Sequence, residues 1–103
     1  MSQIAYTVTA TLPDRATAEA YIQWLREGHM QQVIDGGALS GQAFLLEGDG
    51  PHVRVESRYI FPDREAFNAY ERTTAPALRA DGQRRFGQTP GVSFERRIGQ
   101  VLT

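Results

Sequence analysis

The spacing of apolar residues changes from a two-residue period to a helical one and back again along this chain of 103 residues. In residues 4–12 every second side chain is apolar and most of the others are threonines, which is typical of a half-buried β-strand. From about residue 15 to 35 the apolar side chains follow a helical spacing. Asp14 or Thr17 can cap this helix, and Gly36-Gly37 can end it. The chain therefore begins with a strand and a helix.

The middle of the chain carries a β-hairpin signal. Alternating runs at about 38–47 and 52–61 flank the turn sequence Gly48-Asp49-Gly50-Pro51. A glycine-rich turn between two alternating runs predicts an antiparallel pair of strands. Residues 92–102 alternate in the same way and form the last predicted strand.

Between the hairpin and the last strand lies a helix in two pieces. Asp63 can cap the first piece, and Pro76 falls where it would interrupt the helix, with Thr74 as a candidate new cap. The second piece runs to about Phe86. The resulting βαββαβ order predicts an α+β, ferredoxin-like fold with a four-stranded antiparallel sheet, in one domain over residues 1–103.

Composition excludes several kinds of site. The chain has no cysteine, which excludes disulfides, thiol nucleophiles and Cys-ligated metals, and no lysine, which excludes Schiff-base chemistry and a P-loop. Its two histidines cannot form a three-histidine zinc site and leave a single axial histidine as the only route to haem. We therefore expect neither a metal nor a cofactor.

The charge and the hydropathy bear on partners and location. Eleven arginines and twelve acidic residues give a net charge of −1, which argues against nucleic acid or an anionic membrane as a partner. No apolar run is long enough to span a bilayer, and the N-terminus lacks a basic segment followed by an apolar one. We expect a cytoplasmic protein.

One face of the predicted sheet is polar, and this outer face must either be solvated or be covered. It carries Thr7, Thr9 and Thr11, then Arg54, Glu56 and Arg58, then Ser93, Glu95 and Arg97, joined by Leu39, Ala43 and Leu45 if the second strand keeps the same parity. The face is either solvated on a monomer or buried against a second copy, with Arg–Glu pairs neutralised across a two-fold axis. The similar numbers of Arg and Glu favour the homodimer.

Two segments resemble a known superfamily. The βαββαβ order, with Trp-Leu-Arg-Glu-Gly-His-Met at residues 24–30, resembles the dimeric α/β-barrel superfamily. Residues 70–86 resemble one small family of unknown function within it, whose second helix carries Ala-Pro-x-Leu-Arg and ends in Arg-Phe. The resemblance covers residues 4–102. It implies a homodimer whose sheets pair into a barrel.

The resemblance does not imply a reaction, because the superfamily includes monooxygenases, isomerases, haem-dependent peroxidases and effector domains of transcription factors. The related pattern usually has Glu-His after Leu-Arg-Ala, where this chain has Asp81-Gly82. No role of that histidine can therefore be transferred.

His29 is the first candidate catalytic residue. It lies on the apolar stripe of the first helix with Leu25 and Val33, facing the sheet. It is either a core residue satisfied by one hydrogen bond or a proton acceptor in a pocket between helix and sheet, kept neutral by burial. Trp24, at the edge of the stripe, serves either packing or ligand binding. The other histidine, His52, is predicted to be exposed and without function.

The second helical segment supplies further candidates. Tyr70 and Arg79 are predicted to join His29 as a hydroxyl donor and a cation that stabilise an anion. Tyr59 of the third strand and Arg85 are predicted to bind the ligand. The structural alternative for each arginine is a salt bridge to Asp81, Glu27 or Asp35.

Two functions remain open on these residues. The first is a small organic ligand in a helix–sheet pocket, with cofactor-free oxygenase or isomerase chemistry. The second is a non-catalytic homodimeric or partner-binding module. An open pocket larger than about 300 Å³ that reaches His29 and an arginine would favour the first.

Overall fold

The computed structural model describes residues 2–103 and confirms the predicted βαββαβ order. The elements are β1 (Ile4–Leu12), α1 (Arg15–Trp24), a first π-helical turn (Leu25–His29), α2 (Met30–Asp35), β2 (Ser40–Leu45), β3 (Val53–Phe61), α3 (Arg64–Thr73), α4 (Ala75–Gly82), a second π-helical turn (Gln83–Gly87) and β4 (Ser93–Gln100). Neighbouring strands are all antiparallel, in the order β2-β3-β1-β4. The fold is therefore α+β and ferredoxin-like. None of the helices within residues 2–103 has the length and apolar character needed to cross a membrane.

Two aspartates fix where helices begin. The Asp14 carboxylate accepts a 2.8 Å hydrogen bond from the backbone N–H of Thr17, and Asp63 accepts one of the same length from Ala66. Each bond satisfies a backbone donor that has no partner within the helix. At the other end of the first helical segment Gly37 has φ 128°, a left-handed conformation that glycine adopts readily. These boundaries confirm the sequence signals.

The first helical segment is not one continuous α-helix, so the prediction for residues 15–35 is wrong in this respect. A π-helical turn interrupts it, and within that turn Gly28 departs from helical geometry with φ 167° and ψ −27°. Glycine has a weak preference for helix, so a deviation is cheapest at this position. The π turn places His29 directly before α2.

The second helical segment is broken as predicted. α3 ends at Thr73 and α4 begins at Ala75, with Pro76 in its first turn, where a helix does not need the missing N–H. Thr74 occupies the N-cap position of α4, as predicted, but its side chain makes no capping hydrogen bond. The second π turn extends this segment to Gly87.

The core consists of two clusters between the helices and the inner face of the sheet. One cluster contains Ile4, Tyr6, Val33, Ala38, Tyr59, Phe61, Phe67, Tyr70, Ala75 and Leu78. The other contains Ala10, Leu12, Ala18, Tyr21, Leu25, Val55 and Phe86. Aromatic side chains are frequent in both, and their rigid rings limit how closely the two clusters can pack.

The parity assumed for β2 is wrong. Ala43 pairs with Ser57 and Leu45 pairs with Val55, and both partners are on the inner face of β3. Leu39, Ala43 and Leu45 therefore belong to the inner parity, while Ser40, Gln42 and Phe44 join the outer face. A shift of one residue exchanges the two faces of a strand, and β2 has no clear alternation to fix its parity.

The outer face otherwise has the predicted composition. Thr9 lies between Glu56 of β3 and Glu95 of β4. Both glutamates pair within the chain, Glu56 with Arg58 at 2.9 Å and Glu95 with Arg97 at 2.7 Å. Four of the five charged side chains on this face thus pair within one protomer, whereas Arg54 forms no ion pair within residues 2–103.

Candidate functional site

A cavity of about 370 Å³ lies where the two core clusters meet. Its walls come from β1, β3 and β4 on the sheet side, and from all four α-helices and both π turns on the helix side. Each π turn contributes one lining residue, His29 and Gln83. Interruptions of this kind often occur where a helix borders a functional site. The volume is at the small end of the range for ligand pockets, about 300–1,000 Å³.

An aromatic stack forms one wall. The imidazole of His29 lies against the indole of Trp24, with 4.0 Å between the ring centroids. The indole N–H donates a 3.1 Å hydrogen bond to Asp81 of α4. Burial lowers the pKa of His29 to about 4, although the nearby carboxylate of Asp81 opposes the change. The imidazole is therefore neutral at physiological pH.

Another part of the cavity lining is cationic. Tyr6 of β1 accepts hydrogen bonds from the Nη2 of Arg79 at 3.3 Å and from the Nε of Arg96 at 3.2 Å. Arg79 also pairs with Glu71 of α3 at 2.7 Å. Two guanidinium groups thus share one phenolic oxygen at the edge of the cavity.

Phenolic hydroxyls supply hydrogen-bond donors. Burial raises the pKa of Tyr21 to about 12, and it also raises the pKa of Tyr59 and of Tyr70. All three phenols line the cavity and keep their protons at neutral pH. They can donate to a carbonyl, hydroxyl or anionic oxygen.

Four buried side-chain polar atoms have no hydrogen-bond partner among the residues that the structure describes: His29 Nδ1, Ser57 Oγ, Tyr59 Oη and Arg79 Nε. All four belong to residues that line the cavity. Buried polar groups in folded proteins are nearly always paired, and an unpaired one costs about 1–3 kcal/mol. The unsatisfied polar groups of this chain are concentrated around one space.

The structure brings five of the six predicted site residues to this cavity. His29, Tyr70 and Arg79, the predicted catalytic residues, all line it, as do Trp24 and Tyr59. Arg85 does not line it. Its side chain is exposed and pairs with Asp81 at 3.2 Å, which is the structural alternative that the sequence left open.

Three polar lining residues on the sheet were not singled out in the sequence. Ser57 and Tyr6 are on strand faces predicted to be apolar, and Arg96 alternates with Phe94 and Ile98 on the inner face of β4. The available signal was a polar or charged residue within an otherwise apolar alternation. A buried residue of this kind must be paired or must face a cavity, whereas the exposed Arg96 can also be solvated.

Metal-ligating groups are not clustered in the described part of the chain. Among residues 2–103, no three His, Asp or Glu side chains are arranged to hold a metal ion. The lining residues instead offer a neutral imidazole, phenols, a serine hydroxyl and two guanidinium groups. This set suits a polar organic ligand.

Comparison with solved structures shows that the fold recurs. A dimeric ferredoxin-like protein from an uncultured marine organism is 18% identical, with a TM-score of 0.70 over 100% of this chain and 98% of that one. A second such protein, also from an uncultured marine organism, is 8% identical with a TM-score of 0.75, over 98% of this chain and 95% of that one. SnoaB, a cofactor-independent oxygenase from Streptomyces nogalater, is 12% identical with a TM-score of 0.70, over 100% of this chain and 96% of that one. At these identities the likeness concerns the fold alone.

A family model, described as a domain of unknown function (DUF4286), matches residues 3–101. The chain therefore belongs to this family, which confirms the predicted resemblance to a small family of unknown function. A search of proteins with curated functions finds no match.

Proposed function

We propose that this member of the DUF4286 family binds a small organic molecule in the cavity and that His29 exchanges a proton with it. The observation that carries the proposal is the position of the four unpaired polar atoms, all on residues that line one cavity. A ligand with oxygen atoms at matching positions would satisfy them and recover the cost of their burial. The cavity, at about 370 Å³, is larger than the minimum of about 300 Å³ for a ligand pocket, and it reaches His29 and two arginines.

The proton step follows from the groups present. A ligand C–H or O–H gives its proton to the neutral imidazole, and the electron pair stays on the ligand as an enolate or phenolate. Arg79 and Arg96 lie on the cationic side of the cavity and stabilise that charge. Return of the proton to another carbon completes an isomerisation, whereas transfer of electrons from the anion to dioxygen begins a cofactor-free oxygenation. SnoaB, which has this fold, is a cofactor-independent oxygenase.

One observation favours the alternative of a non-catalytic binding module. A base with a pKa of about 4 is weak. Proton transfer to it from a phenol with a pKa near 10 is uphill by roughly 8 kcal/mol before the arginines contribute. Ligands with more acidic protons would react, while less acidic ones would bind unchanged. Turnover and binding must therefore be measured separately.

We also propose that the protein is a homodimer in which the outer faces of two sheets pair into a barrel. Two solved structures of the same fold are described as dimeric. The centre of the outer face carries Thr9 and two Arg–Glu pairs that form within the protomer, so a second copy could cover this centre without burying an unpaired charge.

A thermal-shift screen with small phenols, quinones and keto acids tests the ligand site. A ligand at ten times its Kd stabilises the folded state by about 1.4 kcal/mol, which raises the Tm of a domain of this size by about 5–10 °C. We expect such a shift for the wild type and for His52→Gln, the control at the exposed histidine, and a much smaller one for His29→Gln. Equal shifts in all three proteins would indicate that His29 has a structural role and does not bind the ligand. No shift with any compound would contradict the ligand site.

A further inference from the structure

The charges around the cavity are unbalanced. Its lining residues include two arginines and no acidic residue. Arg79 is compensated by Glu71 at 2.7 Å. Arg96, within residues 2–103, pairs with no carboxylate, and this residue is exposed to solvent at the edge of the sheet. One lining cation is therefore left without a counter-charge.

Arg96 is well placed to act on a ligand. It pairs with Val8 in the sheet register, on the inner face of β4, and its guanidinium carbon lies 6.0 Å from the ring centroid of Phe94. Its charge also acts on His29. Burial is the main cause of the lowered pKa of His29, and the positive charge of Arg96 adds to it.

The hydrogen bonds of Arg96 leave donors free for a ligand. Its Nε donates to the Tyr6 hydroxyl oxygen, so the Nη groups remain available. That oxygen also accepts from Arg79, and a phenol that accepts two hydrogen bonds still has its own O–H to donate. Arg96 and Tyr6 can thus donate to two oxygens of one anion.

The walls beside this cationic side are aromatic. Tyr21 lies 5.6 Å from Trp24 and 6.1 Å from Phe94, measured between ring centroids, and all three line the cavity. Aromatic rings pack well against other rings in offset or tilted arrangements. A flat ligand with one ring or two fused rings matches both these walls and a cavity of about 370 Å³.

We infer that the ligand is an aromatic monocarboxylate whose carboxylate accepts hydrogen bonds from the Nη groups of Arg96 and from the Tyr6 hydroxyl. One uncompensated cation calls for one negative charge, and a carboxylate has two oxygens for the two kinds of donor. The inference rests on the proposed function, since it specifies the ligand of the same cavity.

The test compares acids with their uncharged amides by calorimetric titration. Benzoate, 2-hydroxybenzoate and 1-naphthoate are each paired with the corresponding amide, on the wild type, Arg96→Gln and Arg97→Gln. Arg97 is the matched control, because it is adjacent in sequence but on the outer face and paired with Glu95. We expect at least one acid to bind the wild type and Arg97→Gln on the order of 10- to 100-fold more tightly than its amide. Arg96→Gln should lose that preference.

Tyr6→Phe keeps the ring and removes only the hydroxyl, so it tests the same contact if Arg96→Gln fails to fold. It should also reduce the preference for the acid. Equal binding of acids and amides to the wild type, or a preference that survives both substitutions, would overturn this inference and leave the proposed function standing. Binding of phenols or quinones, but of no acid, would likewise overturn this inference and leave the proposed function standing. Binding of nothing, in this panel or in the thermal-shift screen, would overturn the proposed function together with the inference.

Discussion

The imidazole of His29 and the indole of Trp24 are stacked nearly parallel, with 20° between their planes and 4.0 Å between their centroids. Trp24 is fixed in turn by its hydrogen bond to Asp81 on α4. Asp81 also pairs with Arg84 and Arg85, whose side chains are exposed. The orientation of His29 thus depends on a carboxylate from the second helical segment, across the cavity mouth.

Asp81→Ala should destabilise the protein by about 1–2 kcal/mol, because it leaves a part-buried indole N–H unpaired and removes two exposed ion pairs. Chemical denaturation measures this loss. Trp24 is the only tryptophan, so its fluorescence reports its surroundings directly. The emission should shift to longer wavelength as the ring becomes more mobile and wetter.

Asp35→Ala is the control for this effect. Asp35 is exposed and accepts one hydrogen bond from Gln31 a helical turn away. Its removal should change the free energy of unfolding by less than about 0.5 kcal/mol and leave the emission unchanged. Identical behaviour of the two variants would contradict the role assigned to Asp81.

The lowered pKa of His29 predicts a specific pH dependence. The unfolded state binds a proton at this histidine below its ordinary pKa near 6.5, whereas the folded state does so only below about 4. The unfolded state therefore holds more protons between these values, and stability falls as the pH falls from 6.5 to 4. The contribution lost is roughly 2–3 kcal/mol.

Denaturation of the wild type and of His29→Gln at several pH values measures this contribution as the difference between the two proteins. The carboxylates titrate alike in both and cancel. We expect the free energy of unfolding of the wild type, relative to that of the variant, to fall by roughly 2–3 kcal/mol as the pH is lowered from 7 to 4. If the free energies of unfolding of the two proteins change in parallel with pH, His29 is not held neutral by the fold.

Removing an unpaired polar atom should stabilise the protein. Tyr59→Phe and Ser57→Ala each delete a buried oxygen that has no partner in the described chain. Each should raise the free energy of unfolding by about 1 kcal/mol, because a desolvation cost disappears and no hydrogen bond of normal geometry is lost. The same changes should weaken ligand binding, as expected of groups kept for function at the expense of stability. A loss of stability in both variants would show that these hydroxyls are satisfied.

The homodimer is tested at the centre of the outer face. Sedimentation equilibrium at micromolar concentration should give twice the chain mass of 11.5 kDa. Thr9→Glu places a third carboxylate between Glu56 and Glu95, so it should shift the protein toward the monomer. Thr17→Glu, near the start of α1, adds the same charge away from this face and should leave the mass unchanged. A wild-type mass near 11.5 kDa would contradict the dimer.

The fold was predictable because each element carries its own signals. The alternation of β1, the caps at Asp14 and Asp63 and the break before Pro76 are all local features of the sequence. The parity of β2 was not predictable, since this short edge strand is mostly exposed and its apolar residues do not alternate cleanly. The π turns depend on tertiary packing, which a helical period does not reveal.

The candidate site was predictable only in part. His29 and Arg79 stand out because a titratable residue on a helix that packs against a sheet needs an explanation. Arg85 is, like Arg79, an arginine of the second helical segment, and only the structure shows that its side chain turns outward to Asp81. Arg96 and Tyr6 become a pair through strand pairing between the two ends of the chain, a relationship that no local pattern contains.

The central claim is that the cavity beside His29 and Trp24 binds a ligand, and ¹H–¹⁵N correlation spectra recorded during titration test it most directly. Trp24 gives one indole N–H signal, which can be followed without ambiguity. With the best compound of the screens, we predict saturable shifts of this signal and of the backbone amides of His29, Ser57 and Tyr59, while the amides of Gly48 and Asp49 in the hairpin turn, which do not line the cavity, stay unchanged. Shifts confined to residues that do not line the cavity, or an indole signal that does not move at saturation, would contradict the account.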